Sequence, residues 1–284
     1  MQTDRKADMR KNVYGKNVFV TGASSGIGKA CAMMFAKNGC NVTGISRHTE
    51  EKTEHFEGRG SLTLRKLDVT DGTATREFIE KLPQVDIAVL CAGMGVAGPA
   101  ETAPAELTRK QMEVNYVGTL NAAQPCLSSM RARGNGLLII IGSIAGRVSI
   151  PMQSQYSASK YALEAFTDAV RMEMKKYGVR ACIIEPGDTK TGFTAARETQ
   201  EISGSDAGSG YGNVLEKSVA KMASDEQNGR SPDSVAKVAL ALAARKNPPA
   251  RVPVGLDYKA LMVLLRVMPD RGKEFILSKL YLPK

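Results

Sequence analysis

The 284-residue sequence holds only two histidines, His48 and His55, and no tryptophan. So few imidazoles disfavour a histidine-based metal site. The five cysteines (31, 40, 91, 126 and 182) are odd in number, lack metal-ligand spacing and all fall inside apolar patterns. They read as reduced core residues of a cytoplasmic protein rather than as a disulfide framework. No apolar run approaches the ~18 residues that span a bilayer, and the charged first residues lack a secretory apolar core. No repeat and no linker divides the chain, so one large domain is expected. The net charge is +10, but it is concentrated at the ends. Residues 1–16 hold five basic and two acidic groups, and residues 251–284 hold seven and three. These basic residues carry no interleaved aromatics and no binding motif, which argues against a nucleic-acid partner. Basic ends facing water, or an anionic membrane surface, fit better.

What is present begins with a strand, Asn17-Val18-Phe19-Val20, running straight into Thr21-Gly22-Ala23-Ser24-Ser25-Gly26-Ile27-Gly28 and a helix from Lys29 to Asn38. A strand, a glycine-rich turn and a helix start make an anion site, because helix-start amides point at phosphate and missing side chains let backbone approach it. A second strand, Asn41 to Ser46, ends where a dinucleotide site reads its ribose. An acid there would accept from the 2′-hydroxyl of NAD and repel a 2′-phosphate. The chain offers Ser46-Arg47-His48 instead, and a guanidinium suits phosphate, so NADP(H) is expected ahead of NAD(H). Ser61 to Leu67 alternates as a strand, with Asp68-Val69 at its end able to touch an adenine. A helix is expected over 71–82, started by Asp71 or Thr73. Val85 to Leu90 is the next strand, and Cys91-Ala92-Gly93-Met94-Gly95 after it is lean enough for backbone to lie against a ribose.

Residues 137–160 carry the chemistry. Leu137 to Ile141 is a short apolar run expected of a strand buried on both faces, which leaves Ser143 at its carboxyl end. Pro151 bars a helix through the following loop, and a helix from near Ser154 puts Tyr156 and Lys160 one turn apart on one face. A free tyrosine titrates near ~10. An ammonium one turn away, and a bound nicotinamide cation, would favour phenolate. Ser143 could then bond a substrate oxygen while Tyr156 gives or takes its proton.

Residues 106–124 show one long helical pattern holding Asn115, either a surface residue or a buried polar one, and Pro125 should kink or end it. Val179 to Ile184 is another strand, followed by a turn at Glu185 to Thr191. Residues 194–213 are small and polar, a lid or a disordered segment. Helices are expected over 214–222 and 232–244, with a last strand at Arg251 to Val254. Residues 258–268 are apolar on nearly every side and should be buried, pocket-lining or at an interface.

Taken together, residues 14–255 resemble the classical short-chain dehydrogenase/reductase family. Thr21-Gly22…Gly26-Ile27-Gly28 is similar to its cofactor turn. Ser143, Tyr156 and Lys160 resemble its serine, tyrosine and lysine, and Asn115 the asparagine that completes the tetrad. Asp68 resembles its adenine-contacting aspartate, and Pro186-Gly187 with Thr189 and Thr191 its nicotinamide-side turn. The resemblance implies a single α/β Rossmann-like doubly wound domain, with a seven-stranded parallel sheet flanked by helices on both faces. It implies hydride exchange between a secondary alcohol and a ketone, Tyr156 as proton relay, and a water chain at Asn115 feeding Lys160. Homodimers or homotetramers would pack through the helices holding Asn115 and Tyr156. The family's Asn-Asn-Ala-Gly is Leu90-Cys91-Ala92-Gly93 here, which removes side-chain amides that brace the sheet. Around the domain stand a basic extension (1–13) and an apolar, basic tail (256–284). Length and tail resemble steroid, retinol and lipid dehydrogenases, so a bulky apolar substrate is expected, bounded by Met94, Val148, Met152 and Phe193. The tail would bury its leucines over the active-site mouth, in an oligomer contact or on lipid. Alternatives are a ketoreductase of acyl-carrier-protein thioesters and a non-catalytic cofactor-binding or membrane-associated scaffold.

Overall fold

The computed structural model describes residues 16–57, 60–200 and 211–282. The basic 1–13 extension and the 201–210 stretch of the expected lid lie outside these residues. The main strands are β1 (Asn17–Thr21), β2 (Asn41–Ser46), β3 (Lys52–Phe56), β4 (Gly60–Lys66) and β5 (Ile87–Leu90). After a short β6 (Val96–Ala97) come β7 (Gly136–Ile141), β8 (Val179–Glu185), a short β9 (Glu198–Thr199) and β10 (Arg251–Pro253). The main sheet has the order β10-β8-β7-β5-β1-β2-β4-β3. Seven of these strands run parallel, as the family resemblance implies. The eighth, β3, adds antiparallel to β4 at the edge. It is absent from the sequence reading because Lys52 to His55 are exposed on both faces, which erases the alternation of a half-buried strand.

The helices are α1 (Gly26–Lys37), α2 (Gly72–Glu80), α3 (Ala105–Met112), α4 (Gly118–Arg133), α5 (Ser154–Met174), α6 (Tyr211–Gln227), α7 (Pro232–Ala243), α8 (Leu256–Val267) and α9 (Asp270–Tyr281). Alternate residues of the strands feed two cores. Val18, Val20 and Ile139 pack against Cys31 and Phe35 of α1 and Val235 and Ala239 of α7. Phe19, Leu138 and Ile140 pack the other way, against α2, α4 and α5 through Ile79, Met130 and Leu163. Each Val, Leu, Ile, Phe or Met among them contributes ~1.5–3 kcal/mol when fully buried. All five cysteines are free, four of them buried and Cys91 half-buried.

The helical pattern at 106–124 resolves differently from the expectation. α3 stops at Met112, one π turn spans Glu113–Val117, and α4 continues to Arg133 with Pro125 inside it. Proline removes one amide from the ladder. The helix carries through it because Ala122, Ala123, Cys126 and Met130 are buried along the same face. Asp71, not Thr73, caps α2, its carboxylate accepting from Ala74 N at 2.9 Å. The 194–200 part of the expected lid is anchored: Glu198–Thr199 pairs in parallel with Val96–Ala97. At its other end α6 has already begun at Tyr211.

Candidate active site

One cavity of ≈ 710 Å³ opens along the carboxyl edge of the sheet, where β1, β2, β5, β7 and β8 end. Most residues assigned above to the cofactor line it, from Gly22 to Thr191, whereas Thr21, Ala23 and Gly95 do not. At the α1 end, Ser25 makes no side-chain cap bond, so the first amides of that helix stay open. Gly28 has no alternative: a Cβ there would stand 2.2 Å from Gly22 O. Ser24 and Ser46 hydroxyls bond each other at 2.7 Å, and Arg47 Nε lies 3.9 Å from Asp68. Hydroxyls and a guanidinium at the end of β2 suit a phosphate ester.

The loop after β5 has supports that its sequence hides. Thr21 Oγ1 accepts from Cys91 N at 2.9 Å and Ala92 N at 3.1 Å. Asn115, fully buried, accepts from Met94 N and donates to Met94 O and Ser159 Oγ. Gln111 donates to Met94 O and accepts from Val96 N. These groups brace the loop where the Asn-Asn pair is missing. They also settle the alternatives for Asn115: the π turn points it inward, and both amide protons go to the loop and to α5.

Ser143 lies two residues past β7 and accepts from Ala145 N at 3.1 Å, which fixes its hydroxyl at the edge of the cavity. Tyr156 and Lys160 rise from α5 one turn apart. Lys160 Nζ donates to Ile141 O at 3.1 Å and stands 5.8 Å from the Tyr156 ring centroid. Burial pushes the Tyr156 phenol up to about 12, against the hydrogen bond of Ser143, and pulls Lys160 down to about 8. The expectation is that the Lys160 ammonium and a bound nicotinamide cation together favour phenolate; within the chain alone, burial works in the other direction. Desolvation is the largest influence on Tyr156, and the Lys160 ammonium donates to the Ile141 carbonyl. At neutral pH the arrangement holds a protonated phenol beside a cationic amine.

Behind Lys160 lies a carboxyl pair. Glu164 and Glu185 are both buried, Arg147 reaches Glu185 at 3.3 Å and Arg251 reaches Glu164 at 2.8 Å. Burial and the neighbouring Glu185 push Glu164 up to about 7. Its Oε1 has no donor among the described residues, and a protonated Glu164 satisfies it by donating to Glu185.

The substrate side departs most from expectation. Met94 and Phe193 line the cavity, but Val148 and Met152 do not; Ile150 and Gln153 hold that wall. Val148 folds in behind a 3₁₀ turn at Ile144–Gly146, its amide bonded to Ile144 O. Met152 adopts φ 61° and turns its carbonyl to Gly98 N at 2.8 Å. The tail supplies two further wall residues, Tyr258 and Tyr281. Tyr258 lies over Gly187, where a Cβ would stand 2.0 Å from the ring, and donates to Asp188 at 2.6 Å. The tail's apolar side chains are not buried within the chain: Val267 is 77 % and Phe275 61 % exposed. Gln153, Glu226 and the two tyrosines carry no sequence signal beyond the apolar pattern of the tail.

A family model described as short chain dehydrogenase matches residues 16–202. A 3-ketodihydrosphingosine reductase of Bacteroides thetaiotaomicron is 33% identical over 93% of this chain and 97% of its own length. An NADPH-dependent 3-dehydrocapnine reductase of Ornithobacterium rhinotracheale is 35% identical over 92% and 95%. A short-chain dehydrogenase structure from Streptomyces avermitilis superposes with a TM-score of 0.75 at 27% identity, over 93% of this chain and 96% of that one. By motif order, sheet topology and these matches, the chain belongs to the short-chain dehydrogenase/reductase family and is an oxidoreductase.

Proposed function

We propose that this oxidoreductase uses NADP(H) to interconvert a ketone and a secondary alcohol on a bulky, largely apolar molecule. The observation that carries the reading is the single cavity joining the glycine turn and Arg47 at one end to Ser143, Tyr156 and Lys160, then to Phe193, Tyr258 and Tyr281. Two relatives named as reductases of 3-keto compounds, one of them NADPH-dependent, support it. The open α1 amides, Ser24, Ser46 and Arg47 would hold the cofactor's phosphates, Asp68 and Val69 its adenine, and Gly93, Lys160 and the Pro186–Thr191 turn its nicotinamide half. NADPH, when bound, supplies the hydride. The chain's own residues do the rest: Ser143 orients the substrate oxygen, the protonated Tyr156 gives it a proton, and Lys160 supplies the positive charge that stabilises the phenolate left behind. Asn115 supports a water chain to Lys160 from its place behind the loop.

Two surfaces extend this reading. Exposed Tyr161 and Met172 on α5 support a homodimer or homotetramer through that helix. On α8, Leu256, Val263, Leu264 and Val267 form one exposed stripe flanked by Lys259 and Arg266, which suits an anionic membrane surface. Tyr258, on the same helix, lines the cavity, so a chain leaving lipid would meet the pocket directly. A cytoplasmic location fits the free cysteines, and no described helix is long and apolar enough to cross a membrane. The test is NADPH oxidation against a panel of long-chain ketones, steroids, retinoids and acyl thioesters. Turnover of the first group is expected, and turnover confined to small or sugar ketones would overturn the apolar reading.

A further inference from the structure

Gln153 occupies the N-cap position of α5, where a short hydroxyl, amide or carboxylate side chain ordinarily accepts from the first helical amides. Its side chain makes no such bond. The backbone around it is held without that help. Gln153 N donates to Ile150 O at 3.1 Å, and Gln153 O accepts from Ser157 N at 2.9 Å. Ile150 N donates to Ser157 Oγ at 3.1 Å, and Met152 O accepts from Gly98 N at 2.8 Å. Met152 takes φ 61°, a costly conformation for a residue with a side chain, and Gln153 rather than Met152 lines the cavity after that turn.

The Gln153 side chain is thus free of any capping duty. It is 4% exposed, it lines the cavity, and its Nε2 has no acceptor among the described residues. A buried N–H that has lost water without gaining an acceptor is costly, and an acceptor on a bound molecule removes that cost. The acids on the same cavity wall do not serve. Glu226 takes Arg197 Nη2 on one oxygen and the Thr194 hydroxyl on the other, and Glu198 is paired with Lys110 at 2.5 Å. A carboxamide carries no charge, and both acids are already matched by cations, so the partner that suits Nε2 is a neutral oxygen. Gln153 precedes Tyr156 by three positions, about one helical turn of ~5.4 Å, which keeps that oxygen within a few bonds of the reacting carbonyl.

We propose that Gln153 reads a second oxygen of the substrate, a hydroxyl or ether oxygen on the carbon next to the ketone or the one after it, by donating to it through Nε2. The substrate is then an apolar chain with two neighbouring oxygens: the carbonyl lies against Ser143 and Tyr156, and the second oxygen against Gln153. This rests on the reading of Tyr156 as the proton donor at the same site.

The test uses two long-chain methoxy ketones, with the ether oxygen on the first or the second carbon from the carbonyl. Each is compared with the ketone that has a methylene in place of that oxygen, so only the acceptor differs within a pair. Wild type is expected to favour the ether in at least one pair by about tenfold or more in kcat/KM, mostly through KM. Any intrinsic effect of the oxygen on carbonyl reactivity is common to all variants, so the readout is the change in the ratio within that pair. Gln153→Leu should lower the ratio about tenfold. Gln153→Ser should lower it as far while holding or raising the melting temperature, because serine caps a helix; it also covers the case in which Gln153→Leu does not fold. Ratios unchanged in both variants, with the two ketones of each pair losing activity together, would mean a packing role and overturn the proposal. Calorimetric binding of each pair to wild type with NADP+, which has no hydride to give, separates the two levels. Tighter binding of the ether, abolished by Gln153→Leu, supports the oxygen-reading site even if the proton-donor assignment fails. Equal binding within both pairs removes that site and leaves the reductase reading standing.

Discussion

At the cofactor end of the cavity, Thr21, Gln111 and Asn115 take up the backbone groups of the loop after β5, and glycines close the turn against α1. At the substrate end, Gln153 lines the cavity with an amide nitrogen that has no acceptor among the described residues, and α8 and α9 present apolar side chains to the outside. The contrast separates two kinds of construction. A loop whose polar groups are satisfied by its own chain, as the one after β5 is, keeps its shape without a ligand. A region left with unmet donors and uncovered apolar surface takes its specificity from what it binds.

The contrast breaks most sharply at Tyr156, where the two ends meet. Tyr156→Phe should lower kcat by ~10²–10⁴-fold, the usual contribution of a positioned acid, while leaving NADPH binding nearly intact. Steady-state kinetics with fluorescence titration of NADPH checks both halves. Retention of a tenth of wild-type kcat would remove Tyr156 from its role.

A smaller effect sharpens the cofactor end alone. Arg47→Asp should weaken NADPH by ~1.5–3 kcal/mol relative to NADH, since it removes a charge-assisted phosphate contact and adds a second acid beside Asp68. Titration of both cofactors decides it, and an unchanged preference would mean that Arg47 does not read the ribose.

The smallest effect concerns the carboxyl pair behind Lys160. Glu164 is raised in the folded protein to about 7, against an unfolded value of ~4.3, so the folded state holds an extra proton in that window. Its contribution to stability is fully present below the unfolded value and is lost as pH rises through the folded one. Glu164→Gln keeps a donor towards Glu185 but cannot titrate, so the fall in melting temperature between pH 5 and pH 7.5 should be shallower than in wild type. Parallel curves would show that no proton is shared there.

The parts legible in the sequence are those set by short spacing or by burial on both faces. The glycine turn, the run before Ser143 and the Tyr156–Lys160 turn each lie within one element, where a helical or extended period fixes who faces whom. β3 escaped because neither of its faces is buried, and the π turn because a wider backbone ring has no residue signature. The substrate wall was legible only in part. Met94 and Phe193 line it, whereas Val148 and Met152 turn away through a 3₁₀ turn and a left-handed residue that local composition does not announce. Arg197 meets Glu226, and Tyr258 meets Asp188, across 29 and 70 positions of chain. Contacts of that range are decided by how whole elements pack.

The most direct test of the reductase reading follows the hydride itself. Wild-type enzyme would be incubated with a long-chain ketone and NADPH carrying deuterium at both C4 positions, and the alcohol analysed by mass spectrometry and NMR. The account predicts one deuterium on the carbinol carbon per NADPH consumed, and almost none formed by Tyr156→Phe in the same time. NADPH consumed without deuterium reaching that carbon, or undiminished transfer in the variant, would contradict it.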